Sequence, residues 1–411
     1  MRTSNLFNES ITQSWRTSLR TQVTKSELPK MNVETSRFLE KTDAVSVGLD
    51  PKKWANVLEA AEQLTQSDKI PALAIQVQRR GLTTGSHVFG RKTISGTEPI
   101  DDQSRFLIAS LTKPMVAMAL LLLAERGQLA LNQRVSDIVP EFKGANKRQI
   151  TLKHILTHTS GLPDMLPNNR ELRAANSPLS KFVSETSSTE MVFPCGQNAQ
   201  YQSMGFALLG PVIENITGMP YASFIQQELF DVLGMTRTAL GLRGEDLNDE
   251  NIAEPRVPHD QVHEEGWNWN SRYWRTFGAP WGGVLSTSQD VSQFCRCMLT
   301  LGQTQSGEQL FNPCTIENAT SNRLHDFPDI PEPVRRTRGW GYGWRMNWPD
   351  HRGSFGDFLG SKVYGHWGAT GTLFWLDPET ETALVLLSSQ PYDRSVSPLV
   401  PLSNMISAAF V

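Results

Sequence analysis

Cysteine is scarce in this chain: Cys195, Cys295, Cys297 and Cys314 are the only four in 411 residues. Their spacing is irregular, and Cys295 and Cys297 lack a second pair at zinc-finger distance. That excludes a disulfide framework or a cysteine zinc site as the organiser of the fold. Long hydrophobic runs are also missing. The longest, residues 115–124, falls short of the roughly 18 residues of a membrane span and reads as a buried helix. Neither sign of charge dominates. A net charge of −3 leaves no basic footprint for nucleic acid. The first 50 or so residues are polar and Ser/Thr-rich, without the apolar stretch of a secretory signal. With few cysteines, this sets the expectation of reduced thiols in a cytoplasmic setting.

Hydrophobic residues make up 39% of the chain and charged residues 20%. A sizeable core follows, in one large composite domain or in two or three smaller ones. Residues 1–48 read as a flexible arm or peripheral hook. Residues 51–66 place Trp54, Val57, Leu58, Ala61 and Leu64 on one helical face. Residues 71–78 and 87–90 have strand patterns around a Gly/Thr turn. A helix-rich stretch runs from about 110 to 240, with helices expected over 115–125, 151–156, 204–216 and 221–233. Residues 243–282 read as a long Trp-rich loop, and 288–301 as a helix. Strand patterns return near 339–346, 372–376 and 383–387, followed by a last helix near 402–410.

Strands at both ends with helices between them predict an α+β fold. The expected division is a sheet domain from residues 49–125 and 285–411, with a mostly helical domain, residues 126–284, inserted into it.

Ser110-Leu-Thr-Lys113 opens the longest apolar run. It places a hydroxyl and an amine three residues apart, on one face of a helix. A serine hydroxyl needs a base to become a nucleophile, and a buried lysine with a lowered pKa can be that base. Pro114 is tolerated only in a first helical turn, so it places the helix start at the motif. Tyr201-Gln-Ser203 follows just ahead of another helix. His366-Trp-Gly368 follows in turn, with Ala369-Thr-Gly371 leading into a strand. No Gly-x-Ser-x-Gly elbow is present, which argues against an α/β-hydrolase.

In this order the three motifs resemble those of the serine β-lactamase/penicillin-binding-protein superfamily. The likeness is greatest to the class C β-lactamase-like branch with its family VIII esterases. Residues 155–163 (Ile-Leu-Thr-His-Thr-Ser-Gly-Leu-Pro) and 281–290 (Trp-Gly-Gly-Val-Leu-Ser-Thr-Ser-Gln-Asp) resemble further family segments, read as lying outside the active site. The resemblance spans about residues 50–411. It implies a β-lactamase/transpeptidase-like antiparallel sheet flanked by helices. It also implies an acyl-enzyme on Ser110, with Lys113 and Tyr201 as base and proton relay. The backbone amides of Ser110 and Ala369 would form the oxyanion hole. Ser203, His366, Trp367 and Gly368 would contact substrate.

Ser203 stands where β-lactamases of this branch carry asparagine, and His366 where they carry lysine. A hydroxyl offers one donor where an amide offers two, and histidine is mostly neutral at pH 7. Both changes weaken recognition of an amide and a carboxylate. Carboxylic esters or small acyl compounds are therefore the expected substrates. The alternatives are a β-lactamase or D-Ala carboxypeptidase/aminopeptidase, an acyltransferase, or a non-catalytic scaffold on the same fold. No cofactor and no metal are called for. The pairs His154/His158 and His259/His263 have metal-ligand spacing but no evident third ligand, and His158 reads as structural. Nine of the eleven tryptophans fall between 267 and 375. They read as packing, or as the walls of an apolar acyl pocket with Trp367 beside the nucleophile.

Overall fold

The protein is described by a computed structural model covering residues 39–348, 355–392 and 398–411. Residues 1–38 of the expected arm lie outside the described residues. In chain order the strands are β1 (Glu40–Lys41), β2 (Ala72–Arg79), β3 (Leu82–Thr83), β4 (His87–Gly90), β5 (Arg105–Leu107) and β6 (Ala239–Leu240). They continue with β7 (Ile252–Ala253), β8 (Val284–Ser286), β9 (Arg345–Met346), β10 (Tyr364–Gly368), β11 (Thr372–Asp377) and β12 (Thr382–Ser388).

The main sheet has eight strands in the order β1-β3-β2-β12-β11-β10-β9, with β4 also paired to β2. β12 lies between β2 and β11, antiparallel to both, so the two ends of the chain meet at the centre of the sheet. The side chains alternate strictly between two packing layers. Leu73, Ile75, Val77, Leu384 and Leu386 pack with Trp54, Val57 and Ala61 of the helix Pro51–Gln66 and with Leu402 and Ile406 of the helix Leu399–Ser407. Ala72, Ala74, Ala383, Val385 and Leu387 face the other way, into the cluster that holds Val291, Phe294 and Cys295 of the helix Ser288–Leu299. Every residue of β12 is buried. Each fully buried Val or Leu contributes about 1.5–3 kcal/mol, so this strand joins the chain ends firmly.

The α+β architecture read from the sequence is present, with several corrections. Glu40–Lys41, from the segment expected to be a flexible arm or peripheral hook, forms the edge strand β1 parallel to β3. A second sheet of four short strands, β6-β8-β5-β7, was not foreseen. β6 and β7 come from within the expected helical insertion, and β7 from within the expected loop. That loop also contains the helix Arg272–Phe277, whose start Ser271 caps by accepting from the Trp274 N–H. The helix expected over 204–216 is two pieces, Met204–Ala207 and Leu209–Thr217. Pro211 lacks the N–H that a continuous helix would bond to Ala207. The helix beginning at Tyr221 passes into a π turn over Gln226–Phe230. Of the strand pattern near 339–346, only Arg345–Met346 forms a strand; Gly343 (φ 78°) turns the chain just before it, and Trp340 makes an isolated bridge back to Arg345. Cys295 and Cys297 are both buried in the core cluster, and all four cysteines are free. Among the described residues, no helix is long and apolar enough to cross a membrane.

Candidate active site

The chain leaves β5 at Leu107, makes a 3-10 turn over Ala109–Leu111 and enters the helix Thr112–Glu125. Pro114 falls in the first turn of that helix, where its missing N–H costs nothing. From Thr112 to Leu123 every helix residue is buried. The run is apolar on all sides because protein surrounds it. Ala109 has φ 47°, a left-handed conformation that costs a non-glycine residue on the order of 1–3 kcal/mol. Such strain persists only where the surroundings enforce it. Here they do: Thr370 Oγ1 donates to Leu107 O at 2.6 Å and Thr372 Oγ1 to Ile108 O at 2.8 Å.

This turn presents Ser110 to Lys113 and Tyr201. Lys113 Nζ lies 3.1 Å from Ser110 Oγ, 2.5 Å from Tyr201 OH and 2.8 Å from Trp281 O. Tyr201 OH donates to Ser110 Oγ at 2.7 Å. Lys113 has no exposed surface, and burial lowers its pKa from 10.5 to about 7, a fall that Asp164 partly opposes. Burial also raises the Tyr201 phenol far above its usual range, with Asp164 adding to the rise.

Tyr201 is positioned from behind by His158. The two rings lie 4.9 Å apart, and His158 also packs on Phe206 and Trp340. His158 Nδ1 accepts the Gln202 N–H at 3.1 Å, so this nitrogen carries no hydrogen. Burial holds the ring neutral, and the Lys113 charge reinforces this. His154, its partner in metal-ligand spacing, caps its own helix through Thr151. Among the described residues, no group of three or more His, Cys, Asp or Glu is arranged to hold a metal ion.

β10 brings the third motif alongside. His366 is buried, its Nδ1 2.8 Å from Trp367 O. A carbonyl only accepts, so Nδ1 carries the hydrogen, and Nε2 is a buried acceptor with no hydrogen-bond partner among the described residues. Desolvation, then the Lys113 charge, pushes the His366 pKa well below 6.5. Gly368, expected to touch substrate, packs closely against the serine turn. A Cβ there would stand 2.5 Å from Ile108 O and 2.3 Å from Thr372 Oγ1. The close approach leaves Ala369 beside Ser110 on the same wall.

The cavity above Ser110 has a volume of about 440 Å³. Its walls carry Ser110, Tyr201, Ser203, His366, Trp367 and Ala369, together with five further tryptophans, Trp269, Trp274, Trp281, Trp340 and Trp348. The Trp-rich segments therefore serve both packing and pocket. Trp367 stacks on Tyr392 at 4.6 Å. Ser203 Oγ donates to Asp164 at 2.6 Å.

Several contributors were missed in the sequence. Asp164, Arg173 and Arg345 all line the cavity. The segments at 155–163 and 281–290, read as lying outside the site, reach it: His158 supports Tyr201, and the Trp281 carbonyl holds Lys113. Asp164 directly follows the first of these segments, which was the available signal. Arg173 carries no motif at all.

The chain matches the Beta-lactamase family over residues 57–400. It is 26% identical over 341 residues to penicillin-binding protein 4* of Bacillus subtilis, which covers 75% of this chain and 70% of that protein. Among solved structures, EstCE1, described as a hydrolase with promiscuous acyltransferase activity, aligns with TM-score 0.70 at 16% identity over 88% of this chain and 99% of that one. A family VIII carboxylesterase aligns with TM-score 0.68 at 18% identity, over 88% and 98%. A class C β-lactamase aligns with TM-score 0.68 at 17% identity, over 88% and 97%. At these identities the structural likenesses establish the β-lactamase/transpeptidase fold. With the match over most of its length, the chain belongs to the beta-lactamase family of serine hydrolases.

Proposed function

We propose that this protein hydrolyses carboxylic esters or small acyl compounds through an acyl-enzyme on Ser110. The observation that carries the reading is the triangle of Ser110, Lys113 and Tyr201, with contacts of 2.5–3.1 Å around a lysine whose pKa is about 7.

A substantial fraction of Lys113 is unprotonated near neutral pH, so its Nζ accepts the Ser110 proton as Oγ attacks the ester carbonyl. Tyr201, with a phenol too weakly acidic to rest as an anion, stays protonated. It donates its proton to the departing alkoxide and regains one from Lys113. In deacylation the same groups run in reverse on a water molecule. The amides of Ser110 and Ala369 stabilise the oxyanion, worth about 3–4 kcal/mol per donor. Apolar tryptophan walls suit an apolar acyl or alcohol portion.

The altered second and third motifs, Ser203 and His366, favour esters over β-lactams. Transfer to an alcohol acceptor uses the same residues, and the aromatic lining of the cavity supports it as a second reading. The test is intact mass after brief incubation with a fluorophosphonate, a short-chain p-nitrophenyl ester and a cephalosporin, beside Ser110→Ala. Ser110-dependent labelling with fast ester turnover and no lasting β-lactam adduct is expected. A long-lived β-lactam adduct would replace the esterase reading with a penicillin-binding one. Absence of any Ser110-dependent adduct would end the catalytic reading. Product analysis with added alcohol separates hydrolysis from transfer.

A further inference from the structure

Arg173 is a buried cation for which the acyl chemistry at Ser110 has no use. It lies on the short helix Asn169–Ala174, is 5% exposed, and lines the same cavity as Ser110. Its guanidinium sits 4.2 Å from the ring centroid of Trp274 and 4.8 Å from that of Trp267. Nη2 donates to Trp267 O at 3.2 Å and more loosely to Gln261 Oε1 at 3.4 Å. Both acceptors are neutral. Nε has no hydrogen-bond partner among the described residues. The nearby Glu264 is taken by Arg170 and by the Trp267 indole. Among the described residues no carboxylate stands within ion-pair distance of Arg173; the Asp260 charge acts on it only from beyond that distance.

A desolvated charge without a close counter-ion is costly, and stacking on aromatic faces offsets only part of that cost. Stacking also fixes the plane of the guanidinium, which leaves a preorganised fork of donors suited to a carboxylate. The wall next to Ser110 cannot do this job through His366, which is held neutral by burial.

We propose that the substrate carries a carboxylate remote from its scissile carbonyl and that Arg173 binds this carboxylate. The preferred substrates are then monoanionic esters: half-esters of dicarboxylic acids, or neutral acyl esters of a hydroxy acid. This rests on the esterase reading above and narrows it.

The experiment compares p-nitrophenyl half-esters of succinate, glutarate and adipate with neutral p-nitrophenyl alkanoates of equal length. A second arm compares 4-butyryloxybenzoate with its methyl ester. Wild type, Arg173→Gln and Arg173→Lys are measured, with fluorophosphonate labelling of Ser110 as the check on folding. In at least one arm the wild type should favour the charged member by about 10–100-fold in kcat/KM, mainly through KM. In Arg173→Gln the ratio should fall towards one, and in Arg173→Lys it should be partly retained. No charge preference in the wild type, or a preference that survives in Arg173→Gln, would overturn the proposal. The second result would place anion recognition elsewhere on the wall. If Arg173→Gln no longer labels, Arg173→Lys decides: equal ratios in it and the wild type at a value near one also reject the role. Failure of the esterase reading looks different, because no neutral ester would then show Ser110-dependent turnover.

Discussion

Gly368 and Ile108 approach so closely that a Cβ on the glycine would stand 2.5 Å from the Ile108 carbonyl oxygen. That contact seats the end of β10 against the strained turn that carries Ser110. Gly368→Ala must push the two apart. The expected result is a loss of about 1–3 kcal/mol in stability and a fall in kcat larger than any change in KM, read by thermal unfolding and ester kinetics. An alanine variant with wild-type kcat would show that this approach does not set the geometry of the site.

Lys113 is fully buried with no carboxylate ion-paired to it among the described residues. Lys113→Met should therefore reduce turnover by about 100- to 10,000-fold while raising stability by about 1–4 kcal/mol near pH 6. The folded-state pKa, about 7, lies below the ordinary 10.5. Between these values the unfolded chain binds more protons than the folded one. Wild-type stability thus rises with pH across that window, and the advantage of the methionine variant shrinks from pH 7 towards pH 10.5. Denaturant melts at pH 6, 8 and 10 check the sign; an advantage that grows with pH would contradict it.

Asp164 raises the Lys113 pKa, opposing burial. In the wild type kcat/KM should climb with pH through about 7 as Lys113 loses its proton. Asp164→Asn keeps an acceptor for Ser203 but removes the charge, so this acid limb should move to lower pH. A pH–rate profile with an unmoved or raised limb would assign it to another group.

His158→Phe retains an aromatic ring against Tyr201 but deletes the acceptor of the Gln202 N–H. A buried N–H left unpaired costs about 1–3 kcal/mol. The melting temperature should fall, and fluorophosphonate should label Ser110 more slowly because Tyr201 loses its support. An unchanged melting temperature would mean that the hydrogen bond contributes nothing.

The sequence makes legible what depends on neighbouring residues. A strand pattern marks β2 and a short apolar run marks β12, the Pro114 rule marks the start of the central helix, and three short motifs mark Ser110, Tyr201 and His366. Signals fail where pairing is short or packing is distant. β5 to β8 are two or three residues each, too brief for any periodicity. The helix from Met204 breaks at Leu208 because one proline outweighs an apolar pattern. Asp164 and Arg173 belong to no motif and gain meaning only from the cavity they share with Ser110.

The amino-acid sequence by itself determined which groups could do the chemistry: a serine, a lysine one helical turn on, a tyrosine and a histidine, each beside a turn, helix or strand that local physics specifies. Tertiary structure decided their chemical state. Lys113 has a pKa near neutrality, and His366 is a neutral acceptor, because chain segments more than 80 residues apart in sequence exclude water from both. Desolvation is a sum over everything packed around a group, and no local pattern contains that sum.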